Sequence, residues 1–469
     1  MIPLGRSHDL SDLMRSSTPL RSLIAVAVVF SMITYSARAD AQGVEIEVNG
    51  TRALEDDYLC WTPVSARLRA PTGLLLGDGR VVIGSESDPG GGEIEFGVSE
   101  SRPNRSDYNP SPTLSLELPK DGSWVDFWIS GKSSSTGRKD VAVVVTSNDG
   151  TKLGSLPLMV RVRKDAEKLT NFEIQLFLDA LVALNKSDGG SDPSIFGEFA
   201  QIHQAANQLQ IHRSPLFLPW HRALLLDFER RLQEIDQRVT VPYWRFDLPA
   251  KRVFSADFMG VTKAGTDFEP GGAMARWLDP ILGPLIRAPA ADPSDGVIPA
   301  PKLESFDGRY IVFRGQLESR FHSGVHARIG GWLASPASPA DPLFFLLHAN
   351  VDRIWAHWQT LHDRLNQKDE LTYSSQGAYP GVGPDQGVYG KGVYAEDGMW
   401  PWSFDPSASN SGEWPAIIHP MPKAMNEIGA WPVTPGNMID FMNVTGDGLA
   451  LGYCYDDIDF MGRIGPKSP

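Results

Sequence analysis

Cysteine is almost missing from this chain: 469 residues hold two, Cys60 and Cys454. That excludes a disulfide-dense scaffold and any thiolate-rich zinc or iron–sulfur site. One bridge or two buried thiols are the readings left open, because sequence does not give the Cα separation. Positive charge is scarce as well. Lys and Arg total 43 against 57 Asp and Glu, a formal net charge of −14, which argues against nucleic acid and a polybasic membrane patch as partners. Long apolar runs are also lacking. The run from Leu23 spans about a dozen residues, short of the roughly 20 that a bilayer crossing takes. Arg15 and Arg21 precede it and Ala37-Arg38-Ala39 follows, so residues 1–39 read as a secretory signal peptide. The chain is predicted to be exported, secreted or periplasmic, and to begin near Asp40. In a glycosylating host, the Asn-x-Ser/Thr matches at Asn49, Asn104, Asn185 and Asn443 become acceptor sites.

Two hydropathy periods divide the rest. From Val44 to Arg163 apolar residues alternate in runs such as "VEIEV", "GEIEFGV", "SWVDFWI" and "LMVRV", separated by turn chemistry such as "SDPGGG", "PKDG" and "SNDG". Seven or eight short strands predict an all-β, antiparallel, immunoglobulin-like sandwich over residues 43–165. At Thr170 the period changes. "TNFE" reads as a capping box, and Phe172, Leu176, Phe177, Ala180, Leu181 and Leu184 follow at helical spacing. Helical patterns continue to about Leu365, and the Gly-, Pro- and aromatic-rich remainder reads as long ordered loops inside one domain, 166–469.

Nine of the ten histidines follow Gln201. His203, His212 and His221 are spaced nine apart, and in "HRALLLDFERRL" His221 shares a stripe with Leu224, Leu225, Phe228 and Leu232, the face a helix buries. "LESRFHSGVHARIGG" sets His322 and His326 one turn apart on one face, the spacing at which two ligands meet one metal. "DPLFFLLHANVDRIWAHW" puts His348 on a stripe with Phe344, Val351, Asp352 and Trp355. A single inward histidine is ordinarily a hydrogen-bonded core residue. Several on facing stripes are not, since each imidazole buried without partners costs about 1–3 kcal/mol and a metal removes that cost by taking the lone pairs.

Ligand type narrows the metal. Imidazoles without thiolates suit copper or zinc, whereas carboxylate-bridged iron pairs use Glu-x-x-His on facing helices, which this sequence does not contain. One catalytic zinc uses three histidines, so two sets of three point to a copper pair.

"FLPWHRALLLDFE", "ESRFHSGVHARIGGW" and "SPADPLFFLLHANVDRIWAHWQ" resemble the two copper signatures of the type 3 copper family of tyrosinases, catechol oxidases and hemocyanins. The resemblance runs from about 166 to 460 and implies a mainly α catalytic domain, a four-helix bundle core holding a dicopper site. It makes His203, His212 and His221 the ligands of one copper and His322, His326 and His348 those of the other. Tyr453 and Tyr455 in "LGYCYD" resemble the tyrosine motif that closes the family's catalytic domain. Departures bear on chemistry. Leu347 stands where many members have a first histidine of a pair, and Asp352 four residues on marks His348 as the ligand. Gln210 stands where some members carry a thioether cysteine, so no thioether is expected. Glu318, one turn before His322, matches the glutamate that holds a water near the metals, and Ser323 replaces the asparagine that orients that water. Phe344, Asn350 and Asp352 are expected to support the ligands or border the ring's access; His357, His362 and His419 match no ligand position.

The expected activity is oxidation of o-diphenols to o-quinones by dioxygen, extending to o-aminophenols or monophenols, with two copper ions per chain, small phenols as substrates and neither nucleic acid nor, after signal cleavage, a membrane as partner. A hemocyanin-like oxygen carrier and a tyrosinase with full monophenol hydroxylation are the alternatives. Tyr108, in the loop "SRPNRSDYNPSP", is the ring that a shielding sandwich would offer to the pocket.

Overall fold

The computed structural model describes residues 43–48, 57–73, 78–99, 102–186, 194–207, 211–264, 271–279, 282–299, 302–374, 394–403 and 432–463. The signal segment, Gln210 and His419 lie outside these, as does much of the Gly- and Pro-rich stretch.

Alternation builds the first part. Strands β1 (Glu45–Val48), β2 (Tyr58–Leu59), β3 (Val64–Arg69), β4 (Arg80–Ser87), β5 (Glu93–Gly97), β6 (Leu114–Glu117), β7 (Val125–Ser133), β8 (Val141–Ser147) and β9 (Lys152–Val160) form two sheets. Their orders are β1-β3-β7-β5 and β2-β9-β8-β4-β6. Register sets Ala66 opposite Phe127 in one and Ile83 opposite Val145 in the other. Period-two spacing then turns Leu68, Phe127, Ile129, Ile94 and Phe96 inward against Val81, Ile83, Val143, Val145 and Leu158, all buried. Two details correct the expectation. Among the described residues nine strands form instead of seven or eight, and β2 runs parallel to β9, so the sandwich is not wholly antiparallel. A two-residue strand has no alternation to read.

Helices follow: α1 (Asn171–Leu184), α2 (Ile195–Asn207), α3 (Phe217–Ile235), α4 (Tyr310–Gln316), α5 (Ser323–Ile329) and α6 (Leu343–His362), with a π-helical turn over Leu317–His322 between α4 and α5. The Thr170 capping box is formed, Thr170 accepting from Glu173 N–H while Glu173 accepts from Thr170 N–H. Phe228 of α3 stacks on Phe345 of α6 at 3.6 Å, and Phe196 of α2 meets both edge-on. These rings fix the spacing of three of the helices that carry the histidines. None of the described helices is long and apolar enough to cross a membrane.

Sandwich and helices share one compact unit, Ala37–Pro469. The junction expected near Lys164 is core, not linker. Arg163 is fully buried and bonds Glu229, Asp352 and Tyr455, with its guanidinium 3.8 Å from the Tyr453 ring. Cys60 and Cys454 are joined, with Cα atoms 5.9 Å apart, tying β2 to the chain's end. Tyr108 also departs from expectation. It is buried in the sandwich, bonded to Ser130 Oγ at 2.8 Å and packed edge-on against Phe460. It contacts no histidine ring among the described residues, so it is not the ring of a shield.

Candidate metal centre

Helical periodicity delivers five of the six histidines. His203 comes from α2, His221 from α3, His322 from the end of the π-helical turn, His326 from α5 and His348 from α6. His212 sits in the turn between α2 and α3, next to Arg213, whose φ of 55° is left-handed. His203, His212 and His221 bring one ring nitrogen each within 4.8 Å of one another, and His322, His326 and His348 do the same. The two sets face each other: His221 stacks on His348 at 4.4 Å, and His212 lies over His322 at 5.6 Å.

Backbone carbonyls aim the rings. The Nδ1–H of His203 donates to Pro336 O at 3.1 Å, that of His221 to Phe217 O at 2.6 Å and that of His326 to Leu333 O at 2.6 Å. Each bond fixes the tautomer and leaves Nε2 facing the other rings. The Leu333 carbonyl reaches His326 because the chain reverses at Gly330 and Gly331, with φ of 66° and 56°. A Cβ on Gly331 would run into the Ile286 carbonyl, so only glycine fits there.

The ring nitrogens fit a metal. His203 Nε2, His221 Nε2, both nitrogens of His322 and Nδ1 of His212 and His348 are buried without hydrogen-bond partners. Burial first, and mutual repulsion of like charges in most, hold all six imidazoles below their ordinary range, His203 at about 3 and His326 at about 4. They are therefore neutral at pH 7, with lone pairs available. Histidines gathered in threes, with orphaned nitrogens in each set and no acid among them, are a donor set for a metal that accepts nitrogen.

The family model described as the common central domain of tyrosinase matches residues 193–278 and 290–361, which include all six histidines. A tyrosinase from Streptomyces glaucescens is 34% identical over 238 residues, covering 43% of this chain and 83% of that protein. The chain belongs to the tyrosinase family. A grixazone synthase from Streptomyces griseus is 26% identical over 275 residues, covering 44% of this chain and 86% of that protein. A solved polyphenol oxidase from Thermothelomyces thermophila matches 66% of this chain and 90% of its own at 19% identity, with a TM-score of 0.37. Family membership implies a dinuclear copper site, and the protein is a copper oxidoreductase.

In this tyrosinase-family centre two phenylalanines wall the histidines. Phe344 lies 4.1 Å from His348 and 5.1 Å from His203. Phe217, missed in the sequence, lies 5.0 Å from His221 and 4.8 Å from His322. The signal was present. Phe217 precedes His221 by one helical turn, as Phe344 precedes His348.

Other expected residues sit differently. Glu318 is buried and both its oxygens are taken, Oε1 by Arg213 N–H at 2.6 Å and Oε2 by Arg314 Nη1 at 2.7 Å. Burial pushes its carboxyl above the ordinary range, and Arg314 pulls back. Ser323, the first residue of α5, donates its Oγ–H to the Glu318 carbonyl at 2.9 Å, so its hydroxyl is committed to the backbone. Asp352 hydrogen-bonds no imidazole. It accepts from Arg222, Arg163, Tyr453 and Tyr455, so its place is in the tie between helices and chain end. Asn350, fully buried, accepts from Arg353. His357 pairs with Asp457, and His362 packs on Trp358.

Proposed function

We propose that the protein is an exported oxidase of small phenols that holds two copper ions per chain, one on His203, His212 and His221 and one on His322, His326 and His348. The observation that carries this is the pair of facing histidine triads, in each of which three ring nitrogens lie within 4.8 Å of one another and buried nitrogens are left without a hydrogen-bond partner. Bound there, a copper pair supplies two one-electron centres, matching the two electrons that an o-diphenol gives up on becoming an o-quinone. Dioxygen is the co-substrate, two diphenols being oxidised per dioxygen reduced to water. The chain's own part is orientation and exclusion of water. Backbone carbonyls fix the rings, and Phe217 and Phe344 keep the surroundings apolar, which strengthens every charge interaction inside.

Diphenols and o-aminophenols are the preferred substrates in this reading. Hydroxylating a monophenol calls for a base that removes the phenol proton beside the metals. Glu318 has both oxygens paired and the Ser323 hydroxyl is committed to a carbonyl, so neither is poised for that task. Oxygen uptake with catechol, o-aminophenol, L-DOPA and tyrosine tests this. Fast uptake with the first three and slow, lag-dominated uptake with tyrosine are expected. Equal initial rates on tyrosine and L-DOPA, without a lag, would contradict it, and failure to oxidise any of them would favour an oxygen carrier.

A further inference from the structure

We infer that Glu318 is a positioning residue that spans the two histidine sets, using the element of one set to hold a ligand of the other. The inference rests on the reading that both sets bind copper. His212 is the only one of the six that no helix carries, and its neighbour Arg213 adopts a left-handed backbone that a side chain disfavours. Something must hold that turn. Glu318 Oε1 accepts the Arg213 N–H at 2.6 Å, while Arg314 Nη1, one turn earlier, fixes the other oxygen. A second tie runs beside it: Tyr310 OH of α4 donates to Pro215 O at 2.6 Å. Both ties start on the α4 and π-helical segment that ends in His322, and both end in the turn that carries His212. His212 and His322 lie face to face as a result, 5.6 Å apart with ring planes 25° from parallel. The first set is therefore completed by a residue that the second set's element positions.

The π-helical turn over Leu317–His322 gives this geometry a local cause. Glu318 and His322 both lie in it, four residues apart. The carboxylate then reaches the Arg213 peptide while the imidazole faces the other rings. π-Helical turns inside α-helices mark functional positions, and here the turn serves two ligands at once.

The test is competition of the full-length apo chain against a chromogenic chelator for copper(I) alone, without oxygen or phenol. The His326→Ala background leaves only the first set complete, and the His221→Ala background only the second. Glu318→Ala is expected to weaken the first set about 10- to 100-fold, the usual effect of losing a partner that orients ligands, and to change the second much less. Glu318→Gln keeps an oxygen that accepts from Arg213 N–H, and should recover most of the first set's affinity. Should Glu318→Ala fail to fold, Tyr310→Phe removes the neighbouring tie alone and is expected to weaken the first set about fivefold. Arg213→Gly, which adopts the left-handed backbone without strain, is expected to shrink the effect of Glu318→Ala. The inference is overturned if Glu318→Ala or Tyr310→Phe leaves the first set unchanged or weakens both sets equally, or if Glu318→Gln is as poor as Glu318→Ala. A parent chain that takes up no copper would instead overturn the dicopper reading.

Discussion

Arg222 Nε lies 2.6 Å from Asp352 Oδ1, and both side chains are closed to solvent. Arg222 follows His221 on α3, and Asp352 lies one turn past His348 on α6, so one ion pair ties together the helices that carry a ligand from each set. The other Asp352 oxygen accepts from Tyr453, Tyr455 and Arg163. One carboxylate thus joins α3, α6, the junction after β9 and the chain's end.

Removing that carboxylate takes away the buried counter-charge paired with Arg222 and one of the two that face Arg163, which keeps Glu229. Asp352→Ala is expected to cost about 3–5 kcal/mol of stability, the usual result of breaking a buried pair from one side. Urea unfolding of the metal-free chain measures it. A loss below about 1 kcal/mol, the level of an exposed pair, would show that the cluster is not the tie described.

The histidines make the metal-free chain acid-sensitive. In the unfolded chain each titrates near 6.5, whereas burial holds all six lower in the fold, His203 at about 3 and His326 at about 4. Between those values the unfolded state binds more protons, so stability falls as pH drops below about 6.5. Asp456 works in the opposite sense, its carboxyl pushed up to about 6, mainly by burial. Asp165, Glu318 and Asp440 are raised as well, mainly by burial, and the six imidazoles outnumber these four carboxyls. The urea midpoint of the metal-free chain should decline steadily from pH 7 to pH 5, and a midpoint that holds constant or rises would contradict the burial of neutral imidazoles.

The bridge between Cys60 and Cys454 and the burial of Arg163 make sandwich and helices one body. Cys454→Ser is expected to destabilise the chain by about 2–5 kcal/mol. Native trypsin digestion should leave the bonds after Arg161 and Arg163 intact until the whole chain unfolds. Early release of a helical fragment beginning near Lys164 would contradict the buried junction.

Helical period made most of the centre legible in advance. His221, His322, His326 and His348 sit on stripes whose apolar neighbours show which way each ring points, and Phe344 could be placed from its spacing alone. What the sequence hid depends on partners far along the chain. Glu318 and Arg213 are 105 residues apart, so a glutamate at helical spacing from His322 read as a group facing the metals. Arg161 and Arg163 continue the alternation of "LMVRV" and look like a solvent face. They face the helices instead, where Arg163 meets Glu229 and Asp352. Tyr108 sits in a polar loop, and only the packed chain shows that Phe460 covers it.

The central claim is that two facing histidine triads each hold a copper ion, and metal content tests it most directly. The purified chain loaded with copper and freed of excess by gel filtration should carry two copper ions by mass spectrometry. His221→Ala and His326→Ala, each breaking one triad, should carry one. Two coppers retained by either variant, or a parent chain that binds one or none, would contradict the account.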